Sequence, residues 1–253
     1  MNGKVALISG GAEGIGGAVG RRFVAAGGSV LLGDVQKEKA AALAASLGER
    51  AAAIALDVRD PAQWERAVAE AEARFGCRTH LFNIAGISEP GGVCELDPES
   101  WNRTLDINLN GTLHGCRAAI PALVRSGQAC AIVNTGSMLA LRPGAMFLAY
   151  CASKAAVTAL SKCIALDMAA KGHPIRVNTV HPGAIRTPMF ERYLDAFPGS
   201  REEGEAMFAA NHPMGRVGEA EEVAGAMMFL ASDAASFSTG VDFTVDGGGA
   251  IRS

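Results

Sequence analysis

The sequence Lys4-Val-Ala-Leu-Ile-Ser9 runs directly into the glycine cluster Gly10-Gly-Ala-Glu-Gly-Ile-Gly16. The apolar run, the glycines and the amphipathic segment AVGRRFVAAG after them predict a strand, a tight turn and a helix. Glycines permit positive φ angles and let the backbone approach a pyrophosphate, to which a helix N-terminus offers free N–H groups. The spacing is G-x-x-x-G-x-G rather than the commoner G-x-G-x-x-G, so a merely flexible connection is the alternative interpretation.

A second apolar run, Ser29–Asp34, ends in an acidic residue 18 positions after Gly16. An Asp at the end of the second strand of a βαβ unit can hydrogen-bond an adenosine ribose and repel a 2′-phosphate. Glu13 adds negative charge within the turn, and neither Val35 nor Gln36 supplies a cation for such a phosphate. The sequence therefore predicts NAD rather than NADP as the cofactor.

Beyond this unit the chain keeps alternating between helical and extended patterns. Helices are predicted over 37–48 and 61–76, from about residue 99, from Tyr150 onward and over 220–232. Further strands are predicted over 51–58, 79–86, 127–137, 174–182 and 241–249. This order predicts an α/β fold with a doubly wound, parallel, seven-stranded Rossmann-like sheet in a single domain, residues 1–253. The segment 187–215 breaks the alternation and is expected to form a lid over a substrate.

Polar residues follow several of the predicted strands. Asp57 closes the third strand and the turn Asn83-Ile-Ala-Gly86 follows the fourth. Because ligands of open parallel sheets bind at the carboxyl ends of the strands, we expect these residues beside the glycine turn. A simple helix cap before Pro61 is an equally good interpretation of Asp57.

The composition excludes several functional classes. The chain has 253 residues, a net charge of −3 and no basic run, so nucleic acid is not an expected partner. No stretch has the length of a membrane span or the architecture of a secretory signal, and a cytoplasmic protein is expected. Six scattered cysteines without metal-ligand spacing indicate free thiols and no metal site.

The stretch Tyr150-Cys-Ala-Ser-Lys154 opens a long Ala-rich run. In a helix, Lys154 would lie one turn from Tyr150, and its charge would favour the tyrosinate form by lowering the pKa of the phenol. Such a phenol could exchange a proton with an alcohol or a ketone. Cys151 points about 100° away from Tyr150 and is expected to pack beside the site.

Two more polar residues are candidates for the same site. Asn108 lies inside a predicted helix, where Asn is locally unfavourable, although a buried and satisfied Asn is the alternative. Ser137 ends the fifth predicted strand at the ligand edge, 13 residues before Tyr150.

With these pieces in register, residues 4–248 resemble the short-chain dehydrogenase/reductase family. The turn SGGAEGIG resembles that family's T-G-x-x-x-G-x-G with Ser9 in place of Thr, and HPGAIRTPM resembles its P-G-x-x-x-T turn. Asn108, Ser137, Tyr150 and Lys154 match the catalytic tetrad of the family in order and spacing. Departures are Ile84 for a frequent Asn, Gly136 for a frequent Ser and Ala140 for a common Gly.

The resemblance implies a role for each member of the tetrad. Tyr150 would be the general acid/base, Lys154 would lower its pKa and bind the nicotinamide ribose, Ser137 would hold the substrate oxygen, and Asn108 would anchor a water. The expected NAD-binding residues are Gly10, Glu13, Gly14, Ile15, Gly16, Asp34, Asp57, Val58, Asn83, Ala85, Gly86, Tyr150, Lys154, Pro182, Gly183, Ile185 and Thr187.

The expected activity is oxidation of an uncharged, cyclic secondary alcohol with NAD. It rests on seven apolar side chains expected to wall the pocket, namely Met138, Leu139, Met146, Phe147, Met189, Phe190 and Met207. Arg142 and Arg186 qualify this expectation, because either could enter the site and pair with an acidic substrate. The alternatives are an NADPH-type ketoacyl reductase and a non-catalytic NAD-sensing regulator.

A homotetramer is expected, mainly from the resemblance. Members of the family commonly pair the Tyr-bearing helix and its predecessor across one axis, and the last helix and strand across another. The segments ALSKCIALDMAAKG and VAGAMMFLAS are also apolar over more of their circumference than one sheet face requires.

Overall fold

A parallel sheet of seven strands forms the centre of the molecule, as the sequence predicts. A computed structural model describes residues 1–76 and 79–252. The strands follow the order β3-β2-β1-β4-β5-β6-β9. They are β1 Val5–Ser9, β2 Ser29–Asp34, β3 Ala51–Ala55, β4 His80–Asn83, β5 Cys130–Thr135, β6 Ile175–Pro182 and β9 Asp242–Val245.

Helices cover both faces of this sheet, so the predicted doubly wound arrangement is confirmed. One face carries α1 Gly14–Ala25, α2 Lys37–Leu47 and α10 Ala220–Ala231, whose apolar side chains form one core cluster with β1 and β2. The other carries α3 Pro61–Phe75, α5 Gly111–Arg125 and α7 Leu148–Ala170, which share a second cluster around the buried Trp64. Strands buried on both faces explain why the runs in the sequence are continuously apolar.

The chain reverses its winding direction between β1 and β4, which are neighbours in the sheet although β2 and β3 separate them in sequence. At such a switch point the loops after the two strands diverge to opposite faces and leave a crevice between them. The glycine turn after β1 and the Asn83–Gly86 turn after β4 therefore meet at the crevice.

Two segments depart from simple alternation. Between α4 Pro98–Leu105 and α5, residues Asp106–Asn110 form a π-helical turn. After β6, the short parallel pair β7 Ile185–Arg186 and β8 Gly218–Glu219 brackets two helices, α8 Pro188–Asp195 and α9 Arg201–Ala209. This bracketed region coincides with the predicted lid, which we call the lid segment (residues 187–215). The short helix α6, Met138–Leu141, lies between β5 and α7.

Candidate active site

A cavity of about 1080 Å³ opens at the carboxyl edge of the sheet and extends from the glycine turn to the lid segment. Its lining includes Gly10, Glu13, Gly14, Ile15, Gly16, Asp34, Asp57, Val58, Ala85, Gly86, Ser137, Tyr150, Lys154, Pro182, Gly183, Ile185 and Thr187. All of these were predicted as site residues. Of the predicted set, Asn83 and Asn108 do not line the cavity.

The glycine turn is held in close contact with the end of β4. Gly10 has a φ of +70°, and a Cβ there would lie 2.7 Å from the backbone nitrogen of Ala85. A Cβ on Gly16 would overlap the carbonyl oxygen of Gly10. The hydroxyl of Ser9 accepts hydrogen bonds from the N–H groups of Ile84 and Ala85, at 3.2 and 3.4 Å, so the Ser that stands in for Thr still ties the turn to β4.

The N-terminus of α1 faces the cavity without a side-chain cap. Glu13 is its N-cap residue but makes no capping hydrogen bond, whereas Asp60 and Thr187 cap α3 and α8 through their side chains. A helix N-terminus without a side-chain cap offers free N–H groups and a partial positive charge to an anion.

The Asp34 carboxylate is buried beneath the turn. One oxygen accepts from the N–H of Ala12 at 3.0 Å and the other from the N–H of Gln36 at 2.9 Å. Each carboxylate oxygen can accept a second hydrogen bond, so Asp34 can brace the turn and still receive hydroxyl groups.

Beside Asp34 the structure places a cation that the sequence did not indicate. Lys39, on α2, forms an ion pair of 3.0 Å with Glu13, to which the side chain of Gln36 also donates at 3.2 Å. Burial works to raise the pKa of Glu13, but these two hydrogen bonds outweigh it and leave the pKa lowered. Only the geometry of α2 brings Lys39 back to the turn.

Asp57 lies past the end of β3 and pairs with Arg59 at 2.6 Å. This hydrogen bond lowers the pKa of Asp57. The cap of α3 is Asp60, which accepts from the N–H of Ala62 at 2.8 Å. The interpretation of Asp57 as a helix cap is therefore wrong, and its side chain remains at the cavity.

Tyr150, Lys154 and Ser137 converge on the floor of the cavity. Tyr150 and Lys154 lie one turn apart near the start of α7, with the lysine Nζ 5.7 Å from the centre of the phenol ring. Lys154 donates to the carbonyl oxygen of Thr135 at 2.8 Å. Ser137 is the N-cap of α6, accepts from the N–H of Leu139 at 3.1 Å and hydrogen-bonds Tyr150.

The pKa values of this group differ from the expectation. Burial raises the pKa of Tyr150 to about 12, against the opposing effect of the Ser137 hydrogen bond. Burial also lowers the pKa of Lys154 to about 8. The expected lowering of the phenol pKa by Lys154 is thus absent from the protein itself, because removing both groups from water disfavours both charged forms.

Asn108 occupies the π-helical turn and is fully buried. Its side chain accepts from the N–H of Ile87 at 2.9 Å and donates to the carbonyl oxygen of Ile87 at 2.9 Å and to the hydroxyl of Ser153 at 3.1 Å. Both amide donors are used, which leaves one acceptor position on its oxygen. The amide clamps the loop after β4 to α7 behind Lys154.

Asn83 is buried within the sheet and donates to the side-chain oxygen of Asn134 at 2.8 Å. Asn134 donates in turn to the hydroxyl of Ser161 at 2.9 Å. This polar chain crosses from β4 through β5 to α7. The Asn83 side chain is therefore enclosed within the sheet and does not reach the cavity.

The turn after β6 is anchored by a residue that sequence reasoning missed, His212 at the end of the lid segment. Its Nδ1 lies 2.6 Å from the carbonyl oxygen of Asp246, and its Nε2 accepts from the N–H of Ala184 at 3.1 Å. The imidazole therefore joins the Pro182-Gly183 turn, the lid segment and the turn after β9. No local pattern marks His212, since its partners are 28 and 34 residues away.

Apolar and aromatic side chains wall the end of the cavity under the lid segment. Of the seven predicted wall residues, Met138, Leu139, Phe147, Met189 and Phe190 line the cavity. Met146 and Met207 are exposed instead, while Phe208 and Tyr193 contribute. The ring of Tyr193 packs edge-on against the ring of Phe147, with 5.7 Å between the ring centres. The hydroxyl of Tyr193 donates to the carbonyl oxygen of Ser88 at 3.2 Å.

The two arginines that qualified the substrate expectation have different positions. Arg142 lines the cavity and donates to the carbonyl oxygen of Gly249 at 3.4 Å. Arg186 lies outside and pairs with Glu205 and Glu219. Of these two arginines, Arg142 is therefore the one close enough to meet a substrate.

The five cysteines that the structure describes do not line the cavity. Cys151 is buried beside Tyr150, with its sulfur 3.7 Å from the carbonyl oxygen of Gly144. Cys77, one of the six cysteines, lies outside the described residues. Across residues 1–76 and 79–252, no helix is long and apolar enough to cross a membrane.

Comparison with known proteins places the chain among oxidoreductases. A family model described as enoyl-(acyl carrier protein) reductase matches residues 10–249. A 2,5-dichloro-2,5-cyclohexadiene-1,4-diol dehydrogenase of Sphingobium indicum is 40% identical, with 99% of this chain and 98% of that protein covered. A 3-alpha-(or 20-beta)-hydroxysteroid dehydrogenase of Mycobacterium tuberculosis is also 40% identical, with 97% and 89% covered.

Solved structures show the same architecture. A 3-ketoacyl-(acyl-carrier-protein) reductase from Brucella melitensis, complexed with NADH, superposes with a TM-score of 0.90 at 34% identity. The alignment covers 99% of each chain. The fold thus has a close counterpart in a reductase whose structure contains NADH.

Proposed function

The chain belongs to the short-chain dehydrogenase/reductase family, and on this premise we propose that it oxidises an uncharged, cyclic secondary alcohol to the ketone with NAD. The observation that carries the proposal is the meeting of Ser137, Tyr150 and Lys154 on the floor of a cavity with an apolar, aromatic far wall. Both the acid/base group and the space for a ring system are present at one place.

The residues fit a dinucleotide along the first half of the cavity. The uncapped start of α1 suits a pyrophosphate, and Gly86 leaves room where a Cβ would lie 3.4 Å from the Lys154 ammonium. Asp34 and Glu13 suit the two hydroxyls of an adenosine ribose. When bound, an oxidised nicotinamide supplies a hydride acceptor and a positive charge near the phenol.

The side chains divide the proton chemistry among themselves. As the tyrosinate, Tyr150 takes the hydroxyl proton of the alcohol while the hydride leaves the carbon that bears this hydroxyl, and it returns that proton to the oxygen in the reverse reaction. Ser137 donates to the substrate oxygen as negative charge builds on it. Lys154, held by Thr135, orients the site from beneath, and Asn108 keeps the backbone behind it in place.

The preference for NAD rests on charge. A 2′-phosphate near Asp34 would face a buried carboxylate whose described hydrogen-bond partners are backbone N–H groups, and such a contact costs several kcal/mol in a partly desolvated site. Lys39 does not offset this cost, because Glu13 already neutralises it.

A panel of substrates tests the proposal, with NADH formation or consumption as the readout. We expect neutral cyclic alcohols with NAD to give the highest kcat/KM, and NADP to be at least tenfold poorer. Small hydroxy acids or sugar phosphates that exceed every cyclic alcohol by tenfold would contradict the substrate class. Turnover of acetoacetyl thioesters with NADPH would favour the ketoacyl reductase, and NADH binding without any turnover would favour a regulator.

A further inference from the structure

A buried histidine lies directly behind Ser137. His181, on β6, has no solvent exposure, and its Nδ1 lies 2.9 Å from the carbonyl oxygen of Ser137 and 3.3 Å from its backbone nitrogen. On the far side of the ring, Nε2 lies 3.3 Å from a carboxylate oxygen of Asp242. The second oxygen of Asp242 accepts from Lys162 at 2.5 Å.

Gly136, which precedes Ser137, leaves room for this ring because it has no side chain. A Cβ on Gly136 would lie 2.6 Å from both Cε1 and Nδ1 of His181, and 2.9 Å from the side chain of Thr179. A serine at position 136, frequent in the family, would therefore collide with the imidazole. The glycine at 136 and the histidine at 181 form one unit beneath Ser137.

The polar atoms around the ring show which contacts it can make. An Nδ1–H donates to the carbonyl oxygen of Ser137, and an Nε2–H donates to the carboxylate of Asp242. A ring that donates from Nε2 alone accepts at Nδ1 from the N–H of Ser137, which is the longer contact. In each arrangement Nδ1 holds an atom of the Ser137 peptide.

We propose that His181 is a positioning residue, held between the peptide of Ser137 and the carboxylate of Asp242, that fixes this peptide so that the Ser137 hydroxyl meets the substrate oxygen. This inference rests on the proposed role of Ser137. Among the described residues, the charged groups that contact the ring or its partner are Asp242 from β9 and Lys162 from α7. Because small misplacements of a catalytic group cost up to about a hundredfold in rate, the effect is expected in kcat.

The test compares His181→Leu, His181→Asn and Asp242→Asn with the wild-type enzyme. We expect His181→Leu to lower kcat about tenfold to a hundredfold, with the Kd for NADH changed less than about twofold. His181→Asn keeps a donor near the Nδ1 position and should restore most of kcat. Asp242→Asn keeps the shape but removes the carboxylate that faces Nε2, so kcat should fall by less than it does in His181→Leu.

His173→Asn, in the loop before β6, is the matched control and should leave both kcat and the Kd for NADH unchanged. Thermal unfolding of each variant shows whether the protein is folded, and Asp242→Asn provides the test if His181→Leu does not fold. Folded variants with wild-type kcat would overturn the proposal, as would a parallel rise in the Kd for NADH. A wild-type protein that binds no NADH and turns over no alcohol would instead refute the proposed function.

Discussion

In the proposed reaction the phenol of Tyr150 exchanges a proton, although burial raises its pKa. Replacing it in Tyr150→Phe removes the acid/base group but leaves every described contact of the glycine turn in place. We expect kcat to fall at least a thousandfold and the Kd for NADH to change less than about threefold. Stopped-flow turnover and fluorescence titration with NADH measure the two quantities. Residual activity within tenfold of the wild type would exclude the acid/base role.

The chain contains only two tyrosines, so the ionisation of Tyr150 can be observed directly. Burial raises the pKa of Tyr150 to about 12 and also raises the pKa of Tyr193. An ultraviolet titration of the protein alone should therefore show no tyrosinate near neutral pH, and adding NAD should move one tyrosine to lower pH. The Tyr193→Phe variant should keep that response and Tyr150→Phe should lose it. A tyrosinate near neutral pH without NAD would show that burial does not control the pKa of Tyr150.

At the scale of elements, the start of α1 requires glycine at position 16, where a side chain has no room. In Gly16→Ala the added Cβ overlaps the carbonyl oxygen of Gly10, so the backbone of the turn must move. We expect a loss of about 1 to 3 kcal/mol in unfolding free energy and at least a tenfold weaker Kd for NADH. Chemical denaturation and calorimetric titration measure these changes.

The neighbouring Gly17→Ala is the control for this prediction. Its Cβ would meet a methyl group of Leu43 at 3.3 Å, and the end of that side chain can move by a few tenths of an ångström. Because Ala favours a helix by about 1 kcal/mol over Gly, this variant should be as stable as the wild type and bind NADH normally. Equal behaviour of the two variants would mean that Gly16 is not needed for close packing.

The sequence predicts most elements because strands buried on both faces are continuous apolar runs and the helices between them are periodic. It predicts less where the direction of a side chain decides whether a residue reaches the cavity. Asn83 ends a strand at the ligand edge, yet its side chain turns into the sheet. Met207 and Phe208 are adjacent, and only the rotation of α9 exposes the first and brings the second to the cavity.

Long-range polar contacts also escape sequence reasoning. His181 and Ser137 are 44 residues apart and His212 and Ala184 are 28 apart, so only the completed sheet brings them together. The balance between Lys154 and burial at Tyr150 is likewise a property of the packed interior. Spacing alone predicts that the pair meets, but the sign of the pKa shift depends on how much water is excluded.

At the scale of the whole molecule, one buried histidine links stability to pH. His80 has 2% of its surface exposed and joins β4 to α10 through a hydrogen bond of 2.9 Å with the carbonyl oxygen of Ala231. Burial lowers its pKa from 6.5 to about 4, so the unfolded chain binds a proton before the folded protein does. Stability from this group is full above pH 6.5 and declines as the pH falls toward 4.

The full effect is about 3 kcal/mol, since each pKa unit corresponds to about 1.36 kcal/mol. Urea unfolding at pH 7 and pH 4.5 should show most of this loss in the wild type and a smaller loss in His80→Gln. His173→Gln is the control and should keep the wild-type pH dependence. An unchanged pH dependence in His80→Gln would contradict the assignment.

We also expect the protein to be a homotetramer. Leu166 on α7 and Phe229 on α10 are exposed apolar side chains on the two helices predicted to pair, and Phe237 and Ile251 are exposed nearby in sequence. Light scattering should give a mass about four times 26.0 kDa. Leu166→Glu and Phe237→Glu should each reduce the tetramer to dimers, and Val93→Glu, on an exposed loop, should not. A wild-type mass near 26 kDa would refute the expectation.

Two residue pairs hold the ends of the lid segment together. Ile185 pairs with Gly218, and Arg186 pairs with Glu219. Because the two ends of the segment are held close together, doubling its length would cost only about 0.6 kcal/mol more in loop-closure entropy. Thr187 and His212 must be kept, because the first lies against the glycine turn and the second holds the turn after β6. The residues between them can be exchanged, and substrate range can diverge in descendants or engineered variants while the dinucleotide end of the enzyme is inherited intact.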